Sequence, residues 1–242
     1  MAVDEALLES HIAGECPPTL RVYTWRPTAV SLGHFQRAES SVDLETCRRL
    51  GVDIVRRPTG GRAILHMENE VTFSLVVSTE RLGVSGVMES YRRIADGILA
   101  GLQSLGLDAR LVERSSPSGA SAQDPACFAV KARCDLVVGS AKLVGSAQVQ
   151  RQGFLLQQNS LPLSIRLSDW SQVFLRKTTA PSATGLWEAA GRKLSYSEVT
   201  SALRLGFEEA FGVVLEQGEL TPLEIERAAE LVAKIELTTA TR

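Results

Sequence analysis

Three groups of residues have the types and spacing to do chemistry. The first is V-R-R-P-T-G-G-R-A-I-L-H, residues 55–66, which sets cations, a glycine pair and a histidine between two strand-like runs. Glycines let backbone pass close to a ligand, and Arg56, Arg57 and Arg62 can offer positive charge to a phosphate or carboxylate. With Thr59, Gly60, Gly61 and His66 they form a candidate ligand loop. The same residues also suit a glycine hairpin with solvated arginines, and spacing alone leaves both open. The second group is K-L-V-G-S-A-Q-V-Q-R-Q-G-F-L-L-Q-Q, residues 142–158, in which one lysine, Lys142, precedes the small residues Gly145, Ser146 and Ala147. Small side chains on a strand leave room for something slender, such as an extended acyl chain, or for a closely packed helix. The third is Cys127, at the exit of R-S-S-P-S-G-A-S-A-Q-D-P-A, a composition that supports a loop. A thiol near its free pKa of about 8.5 is only slightly ionised at neutral pH, so a working cysteine needs a cation or backbone donors nearby. Lys142 could supply that charge; otherwise Cys127 is a small buried hydrophobe.

The elements that must position these groups read as follows. A-V-D-E-A-L-L, with Ala6, Leu7, Ile12 and Ala13 at helical spacing, predicts an amphipathic helix over 3–15, and Asp4 and Glu5 suit its positive end. Short strands follow at 20–25 and 29–33, then a helix at 42–50 closed by Gly51, and a strand leading into the glycine pair. R-A-I-L-H and V-T-F-S-L-V-V are strands expected to pair as neighbours. A long helix over 87–105 ends at Gly106 and feeds a strand from Leu107. Beyond Cys127, three strands form a meander with turns at 139–141 and 152–153. Helices are expected at 169–175, 196–211 and 223–235, with a strand V-V-L-E-Q between the last two. Central strands with helices at both ends and between predict an α+β domain with a mixed, mainly antiparallel sheet.

The 242 residues are 44% hydrophobic, enough for one sizeable core. A net charge of −2 and a pI near 6.0 provide no broad basic field, which disfavours nucleic acid as a partner. No apolar run is long enough to span a membrane and the acidic start is unlike a signal peptide, so a cytoplasmic, membrane-free protein is expected. The four cysteines, Cys16, Cys47, Cys127 and Cys134, show no C-x-x-C spacing and read as reduced thiols; Cys134 is the alternative nucleophile. His11, His34 and His66 read as satisfied structural groups, although His66 could also hydrogen-bond the ligand loop. Neither a Ser-His-Asp order nor a metal-ligand cluster appears, so no metal is expected.

Taken together, M-A-V-D-E-A-L-L, R-R-P-T-G-G-R-A-I-L-H and K-L-V-G-S-A-Q resemble, in order, the opening helix, the arginine-glycine signature and the lysine segment of the lipoate-protein ligase and octanoyltransferase family. That family's catalytic domain is related to the biotin protein ligases. The C-F pair at Cys127 and Phe128, with Lys142 fifteen positions later, resembles the cysteine-dependent octanoyltransferases of the bacillus type. The resemblance covers the whole chain and implies a single catalytic domain over 1–242 with no separate accessory domain. It implies an acyltransferase that moves octanoyl or lipoyl from an acyl-carrier protein or acylated carrier, through Cys127, to a lysine of a lipoyl-carrier domain. Such an acceptor would be a glycine-cleavage H protein or a 2-oxoacid dehydrogenase E2. Lys142 would stabilise the oxyanion, and Arg56, Arg57, Thr59, Gly60, Gly61, Arg62, His66, Gly145, Ser146 and Ala147 would bind substrate. No cofactor is implied; ATP and magnesium would be needed only by an ATP-dependent ligase, the second reading. A non-catalytic carrier-binding protein is the third.

Overall fold

The computed structural model describes residues 1–112, 134–165, 172–175 and 183–240, with side chains described as far as residue 233. The order of elements is α1 (Ala2–Ile12), β1 (Thr19–Tyr23), β2 (Ala29–Leu32), α2 (Ala38–Ser41), α3 (Leu44–Leu50), β3 (Asp53–Arg56), β4 (Ile64–His66), β5 (Glu70–Ser78), α4 (Thr79–Leu82), α5 (Val87–Ser104), β6 (Ala109–Leu111), β7 (Leu136–Val138), β8 (Ala141–Arg151), β9 (Phe154–Pro162), α6 (Leu186–Ala190), α7 (Tyr196–Phe211) and α8 (Pro222–Ala240). Six strands form an antiparallel sheet in the order β1-β5-β9-β8-β7-β6, and three form a small mixed sheet in the order β3-β2-β4. The α+β class with a mainly antiparallel sheet is the one the sequence predicts.

Alternation along the central strands divides the large sheet into two faces. Val71, Phe73, Leu75 and Val77 of β5 join Leu155 and Leu161 of β9 in the main core, beneath Ile94, Ile98 and Leu102 of α5 and Val199, Leu203 and Phe207 of α7. On the other face Val76 and Leu156 meet Leu7 and Leu8 of α1, against which α8 packs. α5 and α7 cross with almost no side chain between them. A Cβ on Gly206 would lie 2.3 Å from the Gly101 nitrogen, and one on Gly101 would lie 2.8 Å from the Ala202 carbonyl oxygen. Only glycine allows so close a crossing.

Two expectations are corrected. β4 and β5 do not pair: β4 joins β2 in the small sheet, whereas β5, buried along most of its length, takes β1 and β9 as neighbours. The corner at 67–69 switches the chain from one sheet to the other. The expected strand at 213–217 does not form. Gly212 ends α7 in the left-handed conformation and the Leu215 amide donates to Glu208 Oε1 at 2.9 Å, so the segment is tied back to the helix rather than to a sheet. The helix expected over 42–50 forms as α3, from Leu44 to Leu50 and closed by Gly51, and a further short helix, α2, precedes it, the two parted at Val42, which bridges to Phe174. α6 was not expected, and the helix at 169–175 falls mostly outside the described residues. Among the described residues no helix is long and apolar enough to cross a membrane.

Candidate active site

A cavity of about 250 Å³, counting its open mouth, lies between the two sheets. β8 and β9 supply one wall, through Gly145, Ala147, Gln158 and Ser160, and the small sheet with its loop supplies the other, through Ser31, Arg57, Ile64 and His66. The register sets Gly145 opposite Ser160 and Ala147 opposite Gln158. The two small residues therefore open a slot in the sheet surface. Ser146 faces the other way and donates to Asn159 Oδ1 at 2.8 Å. Ser160 Oγ is buried in the cavity wall and has no hydrogen-bond partner among the described residues, so it is available to a polar atom of a bound ligand.

Arg57 organises the ligand loop. Its guanidinium is buried and donates to the Ser31 carbonyl oxygen at 2.9 Å, to Ser31 Oγ at 3.1 Å, and to the carbonyl oxygens of Gly60 and Arg62, both at 2.7 Å. Arg57 thus fixes the shape of the glycine turn while lining the cavity. Gly61 sits at φ 87°, where an L side chain is strained, and a Cβ there would come within 3.1 Å of Arg57 Nη2. Thr59 donates to Gln158 Oε1 at 2.9 Å, which ties the loop to β9. Arg56 points away from the cavity and donates to the carbonyl oxygens of Gly33, His34 and Gln36. Arg62 is half-buried and contributes its carbonyl to the Arg57 fork.

His66 is a satisfied buried group that also lines the cavity. Nδ1 lies 2.7 Å from Glu70 Oε1 and Nε2 lies 2.7 Å from Ser31 Oγ, and Trp25 stacks on the ring at 4.2 Å. Thr72 donates to the same Glu70 oxygen and receives the Trp25 indole N–H at 2.9 Å. With the proton on Nδ1 toward the carboxylate, Nε2 accepts from the Ser31 hydroxyl, whose oxygen accepts from Arg57. The chain Glu70–His66–Ser31–Arg57 therefore runs from the core to the cavity wall.

Lys142 is 2% exposed, and its Nζ lies 2.9 Å from Asp135 Oδ1. It does not line the cavity. Three residues along β8 from Gly145, at a strand rise of about 3.3 Å each, its Cα stands about 10 Å further on, comparable to the length of an extended eight-carbon chain. A register shift between Leu136 and Val137 interrupts the ladder at this point. The Lys142 backbone is pinned by the Thr184 amide, which donates to its carbonyl oxygen at 2.9 Å. Cys127 lies outside the described residues. Both ends of its segment are held together, with Val112 N donating to Asp135 O at 2.8 Å and Cys134 N to Val112 O at 2.9 Å. Cys134 itself is buried at φ 67°. Burial, together with Glu224, pushes the Cys16 thiol up to about 11, and burial also raises that of Cys47, so neither is a ready nucleophile at neutral pH. Among the described residues no group of His, Cys, Asp or Glu is placed to hold a metal ion.

Sequence reasoning missed Asp4, Ser31, Gly33 and Asp135. Asp4 was assigned to the helix dipole, yet its side chain is wholly buried and bound to Gln158, a residue of the cavity wall. It accepts from Arg21 Nη1 at 2.8 Å, Tyr23 Oη at 3.0 Å, Ser74 Oγ at 2.8 Å and Gln158 Nε2 at 2.7 Å. Four donors in three strands could not be foreseen from a first-turn acid. A detectable signal existed for Asp135, an acid directly before a strand whose hairpin partner begins next to Lys142.

Residues 1–208 match the lipoyl protein ligase A/B catalytic domain. The chain is 44% identical to an octanoyltransferase LipM of Kyrpidia tusciae, over 97% of this chain and 90% of that protein. It superposes with a TM-score of 0.80 on a Thermoplasma acidophilum protein assigned as a lipoate protein ligase, with bound lipoic acid, at 29% identity over 96% of this chain and 88% of the other. A bi-partite lipoate protein ligase from the same organism, studied with its E2 lipoyl domain, gives a TM-score of 0.78 at 26% identity, over 96% and 86% of the two chains. With the slotted cavity, the glycine turn held by Arg57 and the buried lysine on one strand, the chain belongs to the lipoyl protein ligase A/B catalytic-domain family.

Proposed function

We propose that this protein is an octanoyltransferase of protein lipoylation, an acyltransferase whose acceptor is a lipoyl domain. The reading rests on its likeness to the Kyrpidia tusciae octanoyltransferase along nearly the whole of both chains and on one structural observation. The strand that opens the cavity with Gly145 and Ala147 also carries a buried cation, Lys142, one acyl length away.

In the finer reading the donor is a carrier-protein thioester and the acyl group passes through Cys127. The Cys127 thiolate attacks the thioester carbonyl and the carrier thiolate leaves. The neutral amine of the target lysine then attacks the acyl-cysteine, the C–S bond breaks, and the proton lost from the amine goes to the departing Cys127 sulfur as the amide forms. Negative charge develops on the same carbonyl oxygen in both steps, so one fixed ammonium, Lys142, serves both. Thioester to amide transfer is downhill and requires neither ATP nor a metal ion. Arg57, Gly60 and Gly61 shape the acyl slot, and His66 holds Ser31 and Arg57 in place.

The test is to incubate the protein with octanoyl-acyl-carrier protein, without ATP, and follow intact mass and transfer to a lipoyl-carrier domain. An acyl adduct is expected, lost together with transfer in Cys127→Ala and retained as a slow, more stable oxyester in Cys127→Ser. Transfer by Cys127→Ala that requires ATP and free octanoate or lipoate would make the protein a ligase. An adduct that persists on Cys134 would move the nucleophile seven residues along. Carrier binding without modification under any donor would make it a binding protein.

A further inference from the structure

Phe35 is 89% exposed, more than any other large hydrophobic side chain among the described residues. An aromatic on a mobile loop tip could be exposed by accident, but this turn is held. Arg56 Nη1 donates to the carbonyl oxygens of Gly33 at 3.1 Å, His34 at 3.0 Å and Gln36 at 2.6 Å. The Gln36 amide donates to Gly33 O at 3.0 Å, the Gly33 amide to Gln36 Oε1 at 3.0 Å, and the His34 amide to Thr59 O at 2.9 Å. The His34 ring packs edge-on against Phe35 at 4.7 Å. The turn also rests on the ligand loop, because a Cβ on Gly33 would lie 2.0 Å from the Gly61 carbonyl oxygen. The turn that carries the ring is therefore held against the Gly60–Gly61 turn, whose Arg57 lines the cavity.

The charge around it is one-sided. Arg37 and Arg56 are exposed, and among the described residues no carboxylate forms an ion pair with either. The stretch 54–67, which contains the ligand loop, carries Arg56, Arg57 and Arg62 and no acid; Glu39 is the nearest acid to Phe35 in the chain. An exposed aromatic with guanidiniums beside it is the composition of an interface hot spot, where a few rigid anchors carry most of the binding energy.

We propose that Phe35, flanked by Arg37 and Arg56, is the docking anchor for the acceptor carrier domain, a small domain with an acidic surface around its target lysine. The inference rests on the proposed function: the lysine must reach the acyl group in the cavity, so the surface around it comes to lie over the turns beside the cavity, of which the Phe35 turn is one. A neutral or basic partner would bring these guanidiniums no opposite charge, whereas an acidic one gains attraction at long range and contact at Phe35.

The experiment is calorimetric titration of an unmodified glycine-cleavage H protein onto the native protein and onto Phe35→Ala, Phe35→Trp and Arg37→Glu, each shown by circular dichroism to be folded. Phe35→Ala and Arg37→Glu should each weaken binding about tenfold or more, Phe35→Trp should stay close to native, and added salt should weaken native binding. Equal affinity of all four proteins overturns the docking site and leaves the proposed reaction standing. If the native protein modifies no carrier and binds none, the reaction and the docking site fall together.

Discussion

Lys142 and Asp135 illustrate how one buried contact can carry both stability and chemistry. Their side chains are 3% and 8% exposed and 2.9 Å apart, so neither charge has much water to fall back on. Lys142→Ala removes the cation proposed for the oxyanion and deprives the buried Asp135 carboxylate of its ammonium. Transfer should fall about a hundredfold or more, and the protein should lose about 3 kcal/mol of stability. Asp135→Asn keeps the ammonium and a hydrogen-bonding partner. It should therefore retain far more activity than Lys142→Ala at a comparable loss of melting temperature, which kinetics and a thermal shift on the two variants will separate. Equal activity losses would assign Lys142 a purely structural role.

At the scale of elements, the site depends on two turns that touch. The β2 exit at Gly33 and the glycine turn before β4 approach so closely that no side chain fits at Gly33. Gly33→Ala drives a methyl into the Gly61 carbonyl and should cost about 3 kcal/mol, lowering the melting temperature by roughly 6 to 12 °C. Gly61→Val places a β-branched residue at φ 87° and against Arg57 Nη2, so it should lower the melting temperature too, and in addition displace the Arg57 fork and depress transfer more than its stability loss alone would. Differential scanning fluorimetry beside a transfer assay distinguishes the two. The same pair of turns marks the limit of what the sequence could tell. R-R-P-T-G-G-R was readable as a candidate ligand loop because glycine and arginine types announce backbone proximity and charge. That Arg57 lines the cavity while Arg56 braces the Phe35 turn was not, because adjacent strand residues point to opposite sides and the choice of side comes from the small sheet. Likewise β8 and β9 were legible as a hairpin from their turn, whereas β4 and β5 were misjudged as partners, because strand strength says nothing about which sheet a strand enters. Asp4 was hidden for the same reason: its partners are 17 to 154 residues away in the chain.

Across the whole molecule, Asp4 joins α1, β1, β5 and β9 through a single buried carboxylate. Burial alone would raise its pKa, but the Met1 ammonium, Arg21 and the hydrogen bonds from Gln158 and Ser74 outweigh it and hold the group below its ordinary value of 3.8. A depressed carboxylate pKa stabilises the fold above the unfolded value, and the contribution disappears as pH falls from about 3.8 through the folded one. Asp4→Asn should accordingly be less stable than the native protein at pH 7, by about 3 kcal/mol, and the gap should narrow on acidification toward pH 3. Urea unfolding across that range gives the answer, and a gap independent of pH would show that Asp4 is not the group that titrates. The glycine crossing of α5 and α7 bears on a different property, the order in which the molecule opens. Backbones in direct contact cannot part by rotating a side chain, so the helices must separate as bodies. The peptide amides of Ile98, Leu102, Ala202 and Leu203 should trade hydrogen for deuterium only at the rate of complete unfolding, with strong denaturant dependence. Those of α8, which packs on α1 outside the main core, should exchange sooner and with little denaturant dependence, through a peeling motion that leaves the two sheets around the cavity in place.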